Sequence, residues 1–168
     1  MKYTIEDTFE VPAAHYWDTF FSEDYGKGLW PALDIKCEVL KFERVGEGAA
    51  LEIHREQRLT PNRELPAVIQ KFVKGGFTYT ERNHYKARDG EMRTVTTPSF
   101  MPDKIKTSGL YRIEVLGPSR CKRVWAGEIE CAIALLGGKI EKMLVDEVRE
   151  SYRKATEFTR KWLVDHPA

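Results

Sequence analysis

Residues Cys131–Ser151 read CAIALLGGKIEKMLVDEVRES. An apolar run from Cys131 to Leu136 meets Gly137 and Gly138 and passes at once into a charged, helix-like pattern. From Lys139 to about Val164, apolar or small residues recur at Ile140, Leu144, Val148, Ser151, Ala155, Phe158 and Trp162. Steps of four and three draw one stripe down a long amphipathic helix. The opposite face is charged, with Glu150–Lys154 and Glu157–Lys161 spaced as favourable i,i+4 pairs. About 25 residues at ~1.5 Å each make a rod of roughly 37 Å, the length of a ten- or eleven-residue strand. Such a helix can lie along a sheet from end to end. The glycines are expected to let the chain fold back by tolerating positive φ and close backbone approach.

Strands precede this helix. KYTIEDTFEV at 2–11 alternates Tyr3, Ile5, Phe9 and Val11 against polar residues, the pattern of a half-buried strand. After Pro12, AAHYWDTFF predicts a short helix; Gly26, Gly28 and Pro31 then interrupt the chain around a second short helix or turn. IKCEVLKFERV and GAALEIHREQRL form a hairpin about Gly46-Glu47-Gly48, LPAVIQKFV suggests a helical turn or two, and FTYTERNHYKA and EMRTVTT pair through Asp89-Gly90. PSFMPD, bracketed by prolines, is a loop. IKTSGLYRIEVL and RCKRVWAGEIECAIAL close a series of about seven strands.

At 168 residues the chain fits one domain. Its 27 basic and 26 acidic residues leave no global field to attract nucleic acid or an anionic membrane. Cys37, Cys121 and Cys131 form no C-x-x-C pair, and Cys121 and Cys131 sit roughly 33 Å apart on one strand at ~3.3 Å per residue. A reduced, cytoplasmic setting fits. The chain shows no basic-then-apolar leader and no apolar run approaching the ~20 residues of a membrane helix, so stable membrane insertion is not expected.

One strand, a short helical pair, six antiparallel strands and a long closing helix are together similar to the START-like, or SRPBCC, superfamily, whose fold is the Bet v 1-like helix-grip. FEVPAAHYWDTFF resembles the family's strand-Pro-helix opening, and GGKIEKMLVDEVRESYRKATEFTRKWL its closing helix. Within the superfamily the chain looks most like the bacterial group DUF2505. The resemblance implies an α+β fold over residues 1–168, with a curved antiparallel sheet wrapped around the last helix and a hydrophobic cavity between them. It implies no shared catalytic residue, because function in such a superfamily resides in sites rather than folds.

If the helix covers one face of the sheet, period-two alternation assigns that face's residues. The inward series holds mostly apolar side chains, with charges set among them. Arg55 and Glu81, on neighbouring strands, are expected to face the cavity as a pair, with Asp7 adding a polar contact. Gln57, Tyr79, Asn83, Tyr111 and Trp125 complete the sheet side of a candidate ligand site; Leu144, Val148, Ser151 and Ala155 form the helix side, the small pair marking where a ligand fits. Buried unpaired charges cost several kcal/mol, so either a ligand or a strand-end position must account for them. Gly109 and Gly127, in the same series, leave room for a ligand or a closer helix. Phe100, Met101 and Trp30 are placed at the cavity mouth, either exposed to an external surface during exchange or folded back over the opening.

The chain has 4 histidines but no H-E-x-x-H-like spacing, so no metal is expected, and no cofactor motif is present. The leading expectation is a binding or carrier protein for a hydrophobic, lipid-like or polycyclic small molecule, with any membrane contact transient and confined to the mouth. The alternatives are a cyclase- or dehydratase-type enzyme using Glu81 or Asp7 as general base, and a protein-interaction module of the chaperone-activator kind. No histidine stands near an inward carboxylate, which ranks catalysis below binding. The outer series Lys36, Glu38, Glu52, Glu56, Arg58 and Arg82 reads as solvated sheet surface.

Overall fold

A computed structural model describes residues 1–62, 70 and 76–167. β1 (Lys2–Phe9) leads through Pro12 into α1 (Ala13–Phe20) and α2 (Glu23–Ala32). β2 (Ile35–Val45), β3 (Glu52–Pro61), β4 (Tyr79–Lys86), β5 (Glu91–Pro98), β6 (Ile105–Gly117) and β7 (Arg120–Cys131) follow, and α3 (Gly137–Asp165) closes the chain. All neighbours pair antiparallel in the order β1-β7-β6-β5-β4-β3-β2. The seven-stranded curved sheet with a long C-terminal helix and two short helices after the first strand is therefore as the sequence pattern leads one to expect. The turn expected at LPAVIQKFV lies outside the described residues, apart from Gln70.

α2 runs straight through Gly26, Gly28 and Pro31, where the sequence suggests interruption. Ser22 caps it by accepting the Tyr25 amide, and Pro31 stands in its last turn, with the helix ending at Ala32. Gly28 has a packing role. A Cβ there would stand 2.8 Å from the Phe158 ring and 3.1 Å from that of Trp162, so its bare backbone lets α2 lie against α3. Both rings also pack on Tyr25.

The reversal before α3 departs from the expectation in its details. β7 ends at Cys131, where the apolar run to Leu136 begins, and the left-handed residue of the turn is Leu135 (φ 63°). Neither Gly137 nor Gly138 has positive φ; both belong to the first turn of the helix. Gly137 is required by close approach alone, since a Cβ would fall 2.2 Å from the Cys131 carbonyl oxygen, whereas Gly138 faces open space.

α3 packs on β7 and β1 and against α2. Ile140, Val145, Thr156, Thr159 and Leu163 are its buried residues. The apolar stripe drawn from sequence divides: Ile140 is fully buried, whereas Leu144, Val148, Ser151 and Ala155 are half-buried and line the open space toward the rest of the sheet, where the sequence reading puts them. Two threonines take core positions because their hydroxyls have partners. Thr159 donates to the Ala155 carbonyl (2.6 Å) and bonds the Tyr25 hydroxyl (2.7 Å), and Thr156 donates to the Tyr152 carbonyl (2.7 Å). Gly109 and Gly127 make way for the Trp125 indole, which a Cβ would meet at 2.3 Å and 2.6 Å respectively.

These contacts separate the adjacent glycines energetically. Gly138→Ala is expected to raise stability by about 0.5–1 kcal/mol through helix propensity, and Gly137→Ala to lower it by displacing the β7 terminus. Urea midpoints of the two variants, moving in opposite directions, are the check.

Candidate functional site

Because α3 closes on β1 and β7 and diverges from β3–β6, a cavity of about 260 Å³ remains between them. Its walls are largely apolar: Leu29, Trp30 and Ile35 on one side, Phe77, Phe100 and Ile105 on another, and the helical face of Leu144, Val148, Ser151 and Ala155 across from them. Met92 and Ile129 rise from the sheet floor.

Polar side chains enter at defined places, and most are already bonded. Tyr3 accepts from Trp125 Nε1 (3.2 Å), Tyr25 is joined to Thr159, and Tyr16 and Tyr111 share a short hydrogen bond between hydroxyls. Burial pushes Tyr25, Tyr111, Tyr16 and Tyr152 above the ordinary phenol range, so these groups stay neutral. Burial likewise pushes the Cys37 thiol up to about 11.

Arg55 and Glu81 both line the cavity, but not as a direct ion pair. In the β3–β4 register Arg55 lies opposite Asn83 and Gln57 opposite Glu81, so the two charges are diagonal neighbours. Asn83 stands between them: its Oδ1 accepts from Arg55 Nε (2.9 Å), and its Nδ2 donates to Glu81 Oε1 (3.1 Å) and to Thr94 Oγ1 (3.0 Å). Gln57 Nε2 donates to the same Glu81 oxygen (3.0 Å). The Arg55 guanidinium lies over the rings of Phe20 and Phe21, at 4.9 and 5.4 Å from their centroids. Desolvation lowers its pKa, against which the Glu81 charge acts. Arg55 Nε and Glu81 Oε1 are thus held in place by protein donors and acceptors. Among the described residues, no hydrogen bond engages the Arg55 Nη atoms or Glu81 Oε2.

Tyr79, Tyr111, Trp125, Leu144, Val148, Ser151 and Ala155 line the cavity as the alternation pattern places them. Asp7, Gln57 and Asn83 do not. Gln57 and Asn83 are buried behind the wall at 1% and 4% exposure, holding Arg55 and Glu81 from the rear. Asp7 is taken by Arg123, its register partner across β1 and β7. Arg123 is only 3% exposed, and its Nη2 donates to both Asp7 and Thr156. Its guanidinium is flanked by Phe9 and Tyr152, and its Nε is buried with no hydrogen-bond partner among the described residues.

At the mouth, Phe100 folds inward, 8% exposed and edge-on to Phe77, and Met101 packs beside it at positive φ. Trp30 lines the cavity from α2. The folded-back reading of Phe100 is the one the structure adopts. By alternation Arg123 falls in the inward series of β7 with Trp125, while Tyr16, Tyr25 and Tyr152 come from helices and stand outside the strand alternation. The signal for Arg123 lies in the register: an inward arginine on β7 directly opposite an inward aspartate on β1.

A sheet that grips one long helix over an apolar cavity is the helix-grip architecture of START-like proteins. Residues 4–163 match the family described as a protein of unknown function, DUF2505, and the chain belongs to that family. No curated protein matches it in sequence. Among solved structures it is similar to a protein from Thermus thermophilus (TM-score 0.66, 15% identity, 100% of each chain covered). It is also similar to a START superfamily protein from Mycobacterium smegmatis (0.62, 20% identity, 96% of this chain and 98% of that one). A third is the Zhui aromatase/cyclase of a Streptomyces species (0.62, 15% identity, 98% and 95%). At these identities the likeness is one of fold. No helix among the described residues is long and apolar enough to cross a membrane.

Removing one partner of a buried pair leaves the other charge stranded. Asp7→Ala is expected to destabilise the fold by about 3–5 kcal/mol, and the double change Asp7→Leu with Arg123→Met to recover most of that loss. Denaturant unfolding of the three proteins measures both.

Proposed function

We propose that this protein binds a small hydrophobic molecule in the cavity between sheet and α3, as a carrier or sequestering protein. The supporting observation is the cavity itself, an apolar volume of about 260 Å³ into which two incompletely bonded charged side chains, Arg55 and Glu81, are directed. Ligand sites commonly span about 300–1,000 Å³ and use a few fixed polar groups to orient an otherwise apolar molecule; this cavity falls just below that range, so the ligand is small. Burial of its apolar surface at ~25 cal/mol per Å² supplies the affinity. Phe100 and Trp30, standing at the mouth, govern entry.

The charge balance of the polar end selects among ligands. Arg55 presents donors and Glu81 an acceptor within one network, so the two charges already offset each other. A carboxylate would gain Arg55 but meet Glu81, and an amine the reverse. A neutral edge carrying a hydroxyl, which both donates and accepts, satisfies both.

The catalytic alternative, with Glu81 or Asp7 as general base, loses Asp7, whose carboxylate does not line the cavity and is committed to Arg123. An interaction module would call for a filled interior, and the open cavity weighs against it. The fold shared with an aromatase/cyclase supports a cavity suited to hydrophobic ligands and leaves the reaction, if any, to these residues.

Native mass spectrometry of gently purified protein is expected to show a copurified small molecule. In a titration read by tryptophan fluorescence, 1-naphthol is expected to bind at least about tenfold tighter than 1-naphthoate, a difference of about 1.4 kcal/mol. Ser151→Trp, which fills the middle of the cavity, abolishes binding of both while leaving the unfolding midpoint near wild type. Glu81→Gln removes the charge that compensates Arg55 and shifts preference toward the carboxylate. An empty mass spectrum together with no binding of either probe overturns the proposal.

A further inference from the structure

The outer face of the sheet carries a second convergence of chemistry. His54 on β3 and His84 on β4 are direct register partners, and Glu52 precedes His54 by two residues on the same face. Their neighbours in alternation, Ile53, Asn83 and Tyr85, are buried on the inner face, so the three side chains point away from the cavity. The imidazole rings stack with centroids 4.2 Å apart and planes 20° from parallel. Glu52 Oε2 lies 2.6 Å from His84 Nε2 and 3.8 Å from His54 Nε2, and one ligand atom from each residue falls within 4.8 Å of the others. Nothing in the binding of a hydrophobic ligand uses this cluster.

We propose that Glu52, His54 and His84 form a surface binding site for a divalent transition metal of the zinc class. Two imidazoles and a carboxylate are donors that Zn²⁺ accepts at about 2.0–2.2 Å, which in a tetrahedron sets ligand atoms about 3.3–3.5 Å apart. The two carboxylate separations, 2.6 and 3.8 Å, bracket that spacing. The side chains of Glu52, His54 and His84 are 40%, 40% and 34% exposed, so small χ rotations suffice to bring them to it and no strand needs to move. Their common exposure leaves the fourth coordination position open to water or an exogenous ligand.

Charges around the cluster are mixed. Glu43 on β2 is the register partner of His54 and adds negative charge, itself paired with Lys41 (2.9 Å). Lys86 and Arg93, partners of Glu52 and His84, add positive charge. They set a moderate affinity. Coordination requires the deprotonated ring nitrogens, so affinity falls as the solution is acidified.

The full chain, stripped with EDTA and titrated with Zn²⁺ by calorimetry, is expected to take up one ion. His54→Ala and His84→Ala should each weaken uptake by more than the roughly 10- to 100-fold that follows loss of a residue merely supporting a ligand. Cys37→Ser, on the cavity side of the sheet, should leave it unchanged. In proton NMR of the wild-type chain, the ring signals of these two histidines should shift together at stoichiometric Zn²⁺. Absence of saturable uptake, uptake retained when both histidines are replaced, or unmoved ring signals overturns the site.

Discussion

The Arg123 guanidinium ties three elements to one point. Its Nη2 reaches Asp7 across the β1–β7 ladder and Thr156 on α3, while Phe9 and Tyr152 enclose the cation from two sides. An arginine stays charged at any ordinary pH, so its burial forces the protein to bring a carboxylate, a hydroxyl and aromatic faces to it. That requirement anchors the C-terminal half of α3 over β1 and β7. With the helix fixed on that side, and the strongly twisted sheet curving away beneath it, the far side of the helix has no strand to pack against. The cavity is the consequence.

The cavity is kept open by residues that do not line it. Gln57 and Asn83 are buried, and their amides fix Glu81 Oε1 and Arg55 Nε from behind, leaving the outward-facing atoms free for a ligand. Along the walls the hydroxyl of Tyr111 is paired with Tyr16, that of Tyr25 with Thr159 and that of Tyr3 with the Trp125 indole, so these residues present ring surface to the cavity. A buried network of this type is stable because each member has a partner. The same logic explains why Asp7 is unavailable as a base, its carboxylate being taken by Arg123.

The sequence pattern carries the element order and the strand alternation well, because a period of two and a stripe of four-and-three steps report directly on which face is apolar. It misassigns residues where packing partners override composition. Thr156 and Thr159 are core residues although they are polar, since Tyr25, Arg123 and main-chain carbonyls satisfy them. Gly28 and Pro31 sit inside a helix, the first because Phe158 and Trp162 press on it, the second because it falls in the last turn. The histidines show no metal spacing in the linear sequence, since Glu52 and His54 meet His84 only through the β3–β4 register.

A strand-rich chain ending in a long amphipathic helix, the inward series of β1, β3, β4, β6 and β7, and Arg55 and Glu81 among apolar neighbours are all legible in the sequence. Local periodicity and turn chemistry suffice for that. Tertiary packing alone sets the lean of the helix on β1 and β7, which gives the packed seam to Thr156 and Thr159 beside Ile140 and leaves Leu144, Val148, Ser151 and Ala155 on the cavity. It also decided that Asp7 belongs to Arg123 and that Asn83 stands between Arg55 and Glu81. These outcomes depend on cross-strand register and on the angle at which the helix crosses the sheet, which no stretch of sequence encodes alone. At Cys131–Ser151 the division is plain: the charged helix was legible, whereas Leu135 as the left-handed residue and Gly137 beneath the Cys131 carbonyl follow from how closely strand end and helix start must approach.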